Sequence, residues 1–476
     1  MVISNPPRTW KGGGWKAGAA QAVPATQERA RIEDAGAPGD MVLFRLRGQR
    51  AGDRAFMNRN RGSLHRGSFY LSTYQPIMPT YPLQEMTRRF GLTTLCIFVL
   101  AGAGADAKPL TAAALPAEGD LAPHVGKAGL ELVQVFKRER FPNIVVAVDG
   151  TLVATFGTGS VRARRSSDGG ATWGDEITIS KPGFQCGGLT VNEGNGDIFA
   201  FVEDRHPPAP LKVFKSTDHG KTWSEVKTVI KPDSLGNMPS MHMNDRGITL
   251  RHGAHKGRII RPSRWYAGQN ARGKWPEHYT NAIYSDDGGK TWETSDPFPA
   301  KGTGEATIAE LSDGTVYYNS RRHWAQEGAD PRRRWTAISK NGGKTWEGLT
   351  YLKALPDGPQ NTNYGCMAGL ARLNVRGRDI ILYSNCDSPA GRKLGTVWAS
   401  FDGGKTWPVK RLIFEGAFAY SSMTSGRPGT KTEGMAYVHF EGGPKGGSTV
   451  ARFNLSWVLE GKETGDGTVP GWVREK

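Results

Sequence analysis

Cysteine is scarce. Four residues in 476 exclude a disulfide-stapled scaffold, and no Cys or His spacing matches a zinc ligand set, so neither a metal nor a cofactor is expected. Long apolar runs are also missing: the stretch that stands out, Leu92 to Leu100, is too short to span a bilayer as a stable helix. Acidic residues are in deficit, with 45 Asp and Glu against 62 Lys and Arg and a formal net charge of +17. Part of that excess sits at the front, because residues 1–107 hold 14 Lys/Arg against 7 Asp/Glu and leave +10 on the remainder. A moderate positive field suits an anionic sugar as well as nucleic acid. No helix-turn-helix, zinc finger or RNA-binding aromatic signature is present, so nucleic acid is not an expected partner.

What is abundant is glycine, 63 residues, and much of it is organised. An eight-residue phrase occurs five times: SSDGGATW from Ser166, STDHGKTW from Ser216, SDDGGKTW from Ser285, SKNGGKTW from Ser339 and SFDGGKTW from Ser400. The copies are 50, 69, 54 and 61 residues apart, which marks one supersecondary unit repeated several times. Each copy reads as a tight turn between antiparallel strands. An Asx side chain bonds the backbone two residues on, Gly supplies positive φ, and Trp anchors the turn to apolar surface. Such a turn builds a blade and performs no chemistry.

The leading 85 residues lack sustained apolar periodicity and read as a disordered or over-extended segment. Met86 then opens MTRRFGLTTLCIFVLAGAGADA, with basic Arg88 and Arg89, an apolar core and a small-x-small site at Ala105–Ala107. That is a signal peptide over 86–107, which predicts export, no stable membrane insertion after cleavage, and a folded domain over 108–476. Cys96 would leave with it. Cys366 and Cys386 fall at the start of one expected strand and the end of the next, close enough in a hairpin to bridge in an oxidising compartment, with Cys186 left over.

Strands between the phrases fall into six groups, such as FPNIVVAV, GTLVATF and VRARRS before the first and AYSSMTS, GMAYVHF and TVARFNLSWVL after the last. With ELVQVFK closing the ring from the N-terminal side, the expectation is an all-β, six-bladed β-propeller, expected to act as a monomer. If the repeated turns share one face, the starts of the innermost strands and the loops between second and third strands share the other. Strand order alone then selects Arg140, Glu305 and Tyr420, with Arg321 and Arg392 from the loop side. Three guanidinium forks suit one carboxylate, and a phenol beside an acid suits a nucleophile that a substrate carboxylate does not repel.

The repeated phrase resembles the Asp-box of the sialidase (neuraminidase) family, S-x-D-x-G-x-T-W, and the resemblance extends over nearly all of 108–476. Arg140-Phe-Pro is similar to the family's arginine-isoleucine-proline motif, which implies that Arg140 is the first arginine of a carboxylate-binding triad. GEATIAELSDGTVYYNSR resembles the segment carrying the nucleophile's glutamate partner, Glu305, and the second arginine, Arg321. LYSNCDSPAGRKLGTVWASFDGGKTW is similar to the segment bearing the third, Arg392. AYSSM resembles the nucleophile segment, implying Tyr420, and YVHFEGG implies Glu441 as the residue that braces Arg140. The resemblance implies a retaining exo-glycosidase with a Tyr nucleophile, acting on sialylated or other acidic glycans, and the signal peptide makes it an exported one.

One departure stands out. The family's acid/base aspartate lies between the first arginine and the first Asp-box, and here that interval closes as GTGS, Gly157 to Ser160, with only Asp149 at a turn. A substitute is available in FVEDRHPPAPLK, where Glu203, Asp204 and His206 belong to the active face, and Asp204 is the expected acid. Asp204 before Arg205 also fits a local ion pair, Tyr420 a core tyrosine, and Arg392 a solvated loop. Strand parity sets Arg321 against Arg322 and turns Glu310 to solvent, while His242 and His323 fall on the same face. A carbohydrate-binding propeller that lost its acid is the alternative to an enzyme, and a protein-interaction propeller would leave the arginines without a purpose.

Overall fold

The computed structural model describes residues 116–474 except 139, 185–187, 323, 325–332 and 361–364, together with two short strands further forward. The chain divides into two compact units, Met1–Ala101 and Gly102–Lys476. In the first, Met41–Leu43 pairs antiparallel with Phe56–Asn58. The expected signal peptide with Cys96, and likewise Cys186 and His323, lie outside the described residues. Among the described residues no helix is long and apolar enough to cross a membrane.

The second unit is all-β and propeller-like, with each sheet built by strands that follow one another in the chain. Asn143–Val146, Leu152–Phe156, Val161–Ser166 and Ile177–Ser180 form the first sheet, and Thr190–Val191, Ile198–Glu203, Leu211–Ser216 and Ser224–Val226 the second. Ile248–Thr249, Ile259–Trp265, Tyr279–Ser285 and Thr291–Thr294 form the third, extended by Val229–Ile230 in parallel. Thr303–Glu310, Val316–Arg322, Arg333–Ser339 and Glu347–Pro356 form the fourth. The remaining strands are not two separate sheets. They make one eight-stranded sheet, because the 17-residue strand Val409–Ser425 pairs with Lys393–Ser400 through its first half and with Met435–Gly442 through its second. Four separate sheets and one double-length sheet therefore stand where six separate blades were expected. Leu130–Phe136 pairs with Ser448–Asn454, Val133 opposite Val450, so the outermost strand of the last sheet comes from the N-terminal side.

Apolar side chains interleave between neighbouring sheets. Val145, Val153 and Ala163 of the first pack with Ile198, Ala200 and Phe214 of the second, and Ile260 and Ala282 of the third with Ala306, Ile308 and Tyr318 of the fourth. Each sheet is thus buried on both faces, which is why the second strand of each, LVATF or IFAFVE, reads as a nearly continuous apolar run.

The repeated phrase closes the third strand onto the fourth by a different bond from the one expected. Asp168 does not reach two residues on. Its carboxylate accepts the Thr172 N–H (3.0 Å) and hydroxyl (2.5 Å), four residues on, while Ser166 Oγ accepts the Gly170 N–H (2.9 Å) and donates to Asp168 (2.7 Å). The same ring of bonds recurs at Ser285–Thr291 and Ser400–Thr406. An Asx turn spans too little chain to wrap a pair of glycines, so the Ser hydroxyl and carboxylate share the turn's N–H groups between them. The Trp of the phrase reaches the adjacent sheet: Trp292 meets Phe199 and Phe201 edge-on, with centroids 5.9 and 5.2 Å away.

Candidate active site

Antiparallel order puts five positions at one end of the sheets: the chain before Asn143–Val146, the starts of Thr303–Glu310 and of the second half of Val409–Ser425, the end of Val316–Arg322, and the chain before Lys393–Ser400. These carry Arg140, Glu305, Tyr420, Arg321 and Arg392. Two of them sit in broken ladder register. Pairing slips between Thr303 and Ala306 around Glu305, and between Phe418 and Ser421 around Tyr420. Such irregularities re-aim a side chain that regular pleating would hold on a sheet face.

The phenol of Tyr420 donates to Glu305 Oε1 at 2.9 Å, and the other oxygen of Glu305 accepts from Arg321 Nη1 at 2.6 Å. Glu305 and Arg321 are fully buried, and Tyr420 is 4 % exposed. Two further guanidiniums lie over the Tyr420 ring, Arg140 at 5.1 Å and Arg392 at 4.9 Å from its centroid. Arg140 is gripped in turn by Glu441, with Nε and Nη2 each 3.2 Å from a carboxylate oxygen. Arg392 donates to the Gly365 carbonyl at 3.1 Å. Unlike Arg321, Arg140 is open, with 46 % of its side chain exposed, so a ligand can reach it.

Burial pushes the Tyr420 phenol well above its usual range, reinforced by Glu305 and opposed by Arg321 and Arg392. The resting phenol is therefore neutral and its proton already points at a carboxylate. Burial alone would pull Arg321 down, but Glu305 and Tyr420 outweigh it and hold the guanidinium charged.

Arg321 and Arg322 do face opposite ways. Arg322 stacks over Trp335 at 4.4 Å and donates to the Lys301 carbonyl. Glu310, expected in solvent, is buried instead. It accepts the N–H groups of Arg251 (2.6 Å) and His252 (3.0 Å) from the third sheet's loop, a neighbour that strand parity does not reveal.

The loop after Ile198–Glu203 borders this cluster through a chain of rings. Tyr420 and Phe141 are 5.9 Å apart, Phe141 and His242 5.9 Å, and His242 and His206 4.8 Å. Asp204, on the same loop, is partly exposed and pairs with Arg205 at 3.1 Å. No bond joins it to the Tyr420 cluster among the described residues. Glu203 points inward to Ser240 Oγ (2.7 Å) and the Met241 N–H (2.9 Å), with its carboxyl pushed up by burial. Cys366 and Cys386 are buried free thiols with sulfurs 3.8 Å apart, adjacent but not bridged.

Several supporting residues escape a reading of the sequence. Phe141 adopts φ 72°, rare for a bulky residue, and its N–H donates to Glu441 Oε1 at 2.9 Å; the carboxylate that holds Arg140 also holds this strained peptide. Beneath Glu305, Arg334 bridges Asp357 (2.9 Å) and the Asn319 side chain (2.6 Å). Asp357 is pushed up to about 7 by burial, against the pull of Arg334 and Arg321. A Cβ on Gly365 would lie 1.9 Å from the Asp357 carbonyl and 3.0 Å from Arg321 Nε, so only glycine fits there. A sequence signal exists for none of these except the Pro-Asp-Gly turn that contains Asp357.

Residues 189–433, just over half of the chain, match the BNR repeat-like domain. A sialidase of Micromonospora viridifaciens is 32% identical over 363 residues, 68% of this chain and 52% of its own, and a sialidase of Bacteroides fragilis is 28% identical, covering 58% and 55%. The chain spans about half the length of both relatives. Among solved structures, the Hadza microbial sialidase Hz136 superposes with a TM-score of 0.52 at 23% identity, covering 67% of this chain and 66% of that one. The intramolecular trans-sialidase of Ruminococcus gnavus superposes at 0.51 and 16% identity, covering 67% and 95%. These likenesses establish the fold, and the domain match together with the sequence relatives places the chain in the sialidase, BNR-repeat family.

Proposed function

We propose that this protein is an exported, retaining exo-glycosidase of the sialidase type that releases terminal sialic acid, or a related carboxylated sugar, from glycoconjugates. The observation that carries this is the Tyr420–Glu305 hydrogen bond among three arginines. Arg140, Arg321 and Arg392 hold the sugar carboxylate. As Tyr420 Oη bonds to the anomeric carbon, its proton passes to Glu305, the glycosidic C–O bond breaks, and the leaving oxygen takes a proton from an acid. Water then attacks the same carbon and gives a proton back to the acid, Tyr420 leaves and recovers its proton from Glu305, and net retention results. Glu441 keeps Arg140 in place. Asp204 is the proposed acid, on the loop that reaches the cluster through His206 and His242.

The eight-stranded sheet reads as two four-stranded blades sharing Val409–Ser425, which makes a six-bladed propeller over 108–476, acting as a monomer. Export rests on the sequence MTRRFGLTTLCIFVLAGAGADA, with Met86 as the functional start.

Hydrolysis of a fluorogenic sialoside by the full chain tests the reading, because its activated leaving group needs little protonation. Release of fluorophore that disappears in Tyr420→Phe is the expected result. Asp204→Ala should retain activity on that substrate and lose it on natural sialosides. Binding of sialic acid with no turnover on either substrate would replace the enzyme by a lectin.

A further inference from the structure

A cavity of about 70 Å³ lies away from the Tyr420 cluster, at the opposite ends of the innermost strands. Val146, Thr249, Glu310 and Ser425 reach it from four sheets, and it is lined by four arginines, Arg246, Arg251, Arg372 and Arg427, against two carboxylates, Glu193 and Glu310. The proposed hydrolysis uses none of them.

Two of the arginines are spent. Arg251 gives Nε and Nη2 to Glu193 (2.9 and 2.8 Å) and Nη1 to Asn374 (2.6 Å). Arg372 is taken up by Glu118, by Asp379 and by the carbonyls of Arg378 and Val375. The other two are not. Arg427 gives Nε to the Val146 carbonyl (3.1 Å) and Nη2 to Glu193 (2.9 Å), and Arg246 gives Nε to the Met423 carbonyl (2.6 Å) and Nη1 to that of Gly247 (3.5 Å). Arg427 Nη1 and Arg246 Nη2 are left without a hydrogen-bond partner among the described residues, and the Arg246 guanidinium bonds no carboxylate there, only its backbone N–H reaching Asp245 Oδ1 (2.8 Å). The acids nearby are committed. Glu193 already serves two guanidiniums, Glu310 accepts two backbone N–H groups, and Asp245 behind Arg246 is occupied by Ser422 Oγ (2.6 Å) and Thr307 Oγ1 (2.9 Å). Burial depresses both Arg246 and Arg427 in spite of Asp245 and Glu193, so their charge is under-compensated as the cavity stands.

We propose that this cavity is a second site, for a small oxyanion such as phosphate or sulfate, held by the unspent amino groups of Arg246 and Arg427. An anion there would tie together the segments that carry Arg246 and Arg427. Guanidinium forks match tetrahedral oxyanions, and the cavity has room for a small ion.

The test is calorimetric titration of the full chain with inorganic phosphate, at ionic strength held constant with sodium chloride. Saturable binding of one phosphate per chain, competed by sulfate, is expected. Arg246→Gln should weaken it at least tenfold, and Arg392→Gln, which alters the sugar-carboxylate clamp, should leave it within about twofold. Absence of saturable binding to the unaltered protein overturns the proposal. So does binding that survives Arg246→Gln and is lost in Arg392→Gln, which would place the phosphate in the clamp. If Arg246→Gln does not fold, Arg427→Gln and displacement by free sialic acid from the unaltered protein decide the same question, since displacement means the clamp. Fluorogenic turnover by Arg246→Gln at the unaltered rate would keep this site separate from the proposed catalytic one.

Discussion

Tyr420 Oη and Glu305 Oε1 are 2.9 Å apart, and both side chains are almost wholly excluded from solvent. A phenol with a raised proton affinity is a poor nucleophile unless its proton has somewhere to go during attack, and the geometry supplies that place. Tyr420→Phe should lower kcat by at least about 10³-fold, and Glu305→Gln by about 10²- to 10⁴-fold. Both should leave the affinity for a non-hydrolysable acidic sugar within a few-fold, because the arginines remain. Single-turnover kinetics beside equilibrium binding separates the two effects. Turnover by Tyr420→Phe near the unaltered rate would remove the proposed mechanism.

In the proposed mechanism Glu441 acts on the sugar through Arg140. Its two oxygens hold one guanidinium and one of them also takes the Phe141 N–H, so Glu441→Gln weakens the grip on Arg140 and relaxes the backbone beside it. On the proposed role, Arg140 would bind the carboxylate in ground and transition states alike, and the expected effect is a rise in KM of roughly tenfold with little change in kcat. Steady-state kinetics with the fluorogenic sialoside measures both. An equal fall in kcat and kcat/KM would instead mean that Glu441 serves the transition state.

The five repeats and the strands between them made the sheets legible, because a turn phrase at fixed spacing dictates antiparallel order, and order alone brought Arg140, Glu305, Arg321, Arg392 and Tyr420 to one end. What stayed hidden depends on contacts between sheets. Glu310 looked solvent-facing because parity knows nothing of the Arg251 and His252 amides that cap it. The left-handed backbone at Phe141 and the register slip around Tyr420 carry no composition signal, since neither Arg140-Phe-Pro nor Phe418-Ala-Tyr-Ser contains glycine or asparagine, while the slip around Glu305 has only Gly304 to mark it. Merging of the last two sheets depends on one strand running through 17 residues without a break, which the continuous sequence VKRLIFEGAFAYSSMTS permits but does not announce.

Asp357 supplies a pH test. Its carboxyl sits near 7 in the folded protein, raised by burial from an ordinary value of 3.8. Between those limits the folded chain holds a proton that the unfolded chain has released, so stability from this group is complete below about pH 4 and declines as pH rises through about 7, by on the order of 4 kcal/mol. Asp357→Asn cannot titrate. Its stability should therefore change less between pH 4.5 and 8 than that of the unaltered protein, even though loss of the Arg334 partner lowers it overall. Urea unfolding at several pH values provides the comparison, and parallel pH profiles would show that Asp357 stays ionised against Arg334.

The repeated phrase gives the last prediction, because chemically equal tryptophans occupy unequal places. Trp407 is fully buried among Tyr317, Tyr383 and Trp398, and its indole N–H donates to the Gly404 carbonyl at 3.2 Å. Trp173 is only half-buried, at the edge of its cluster. Deleting a large buried ring costs the transfer energy and leaves a cavity, so Trp407→Ala should destabilise by about 3–5 kcal/mol and Trp173→Ala by clearly less. Neither lies at the Tyr420 end of its strand, so the folded fraction of each should turn over substrate at the unaltered rate. Urea midpoints with activity normalised to folded protein test both halves. Equal costs would mean that the turn's hydrogen-bond ring, rather than burial of its tryptophan, sets the stability of each sheet.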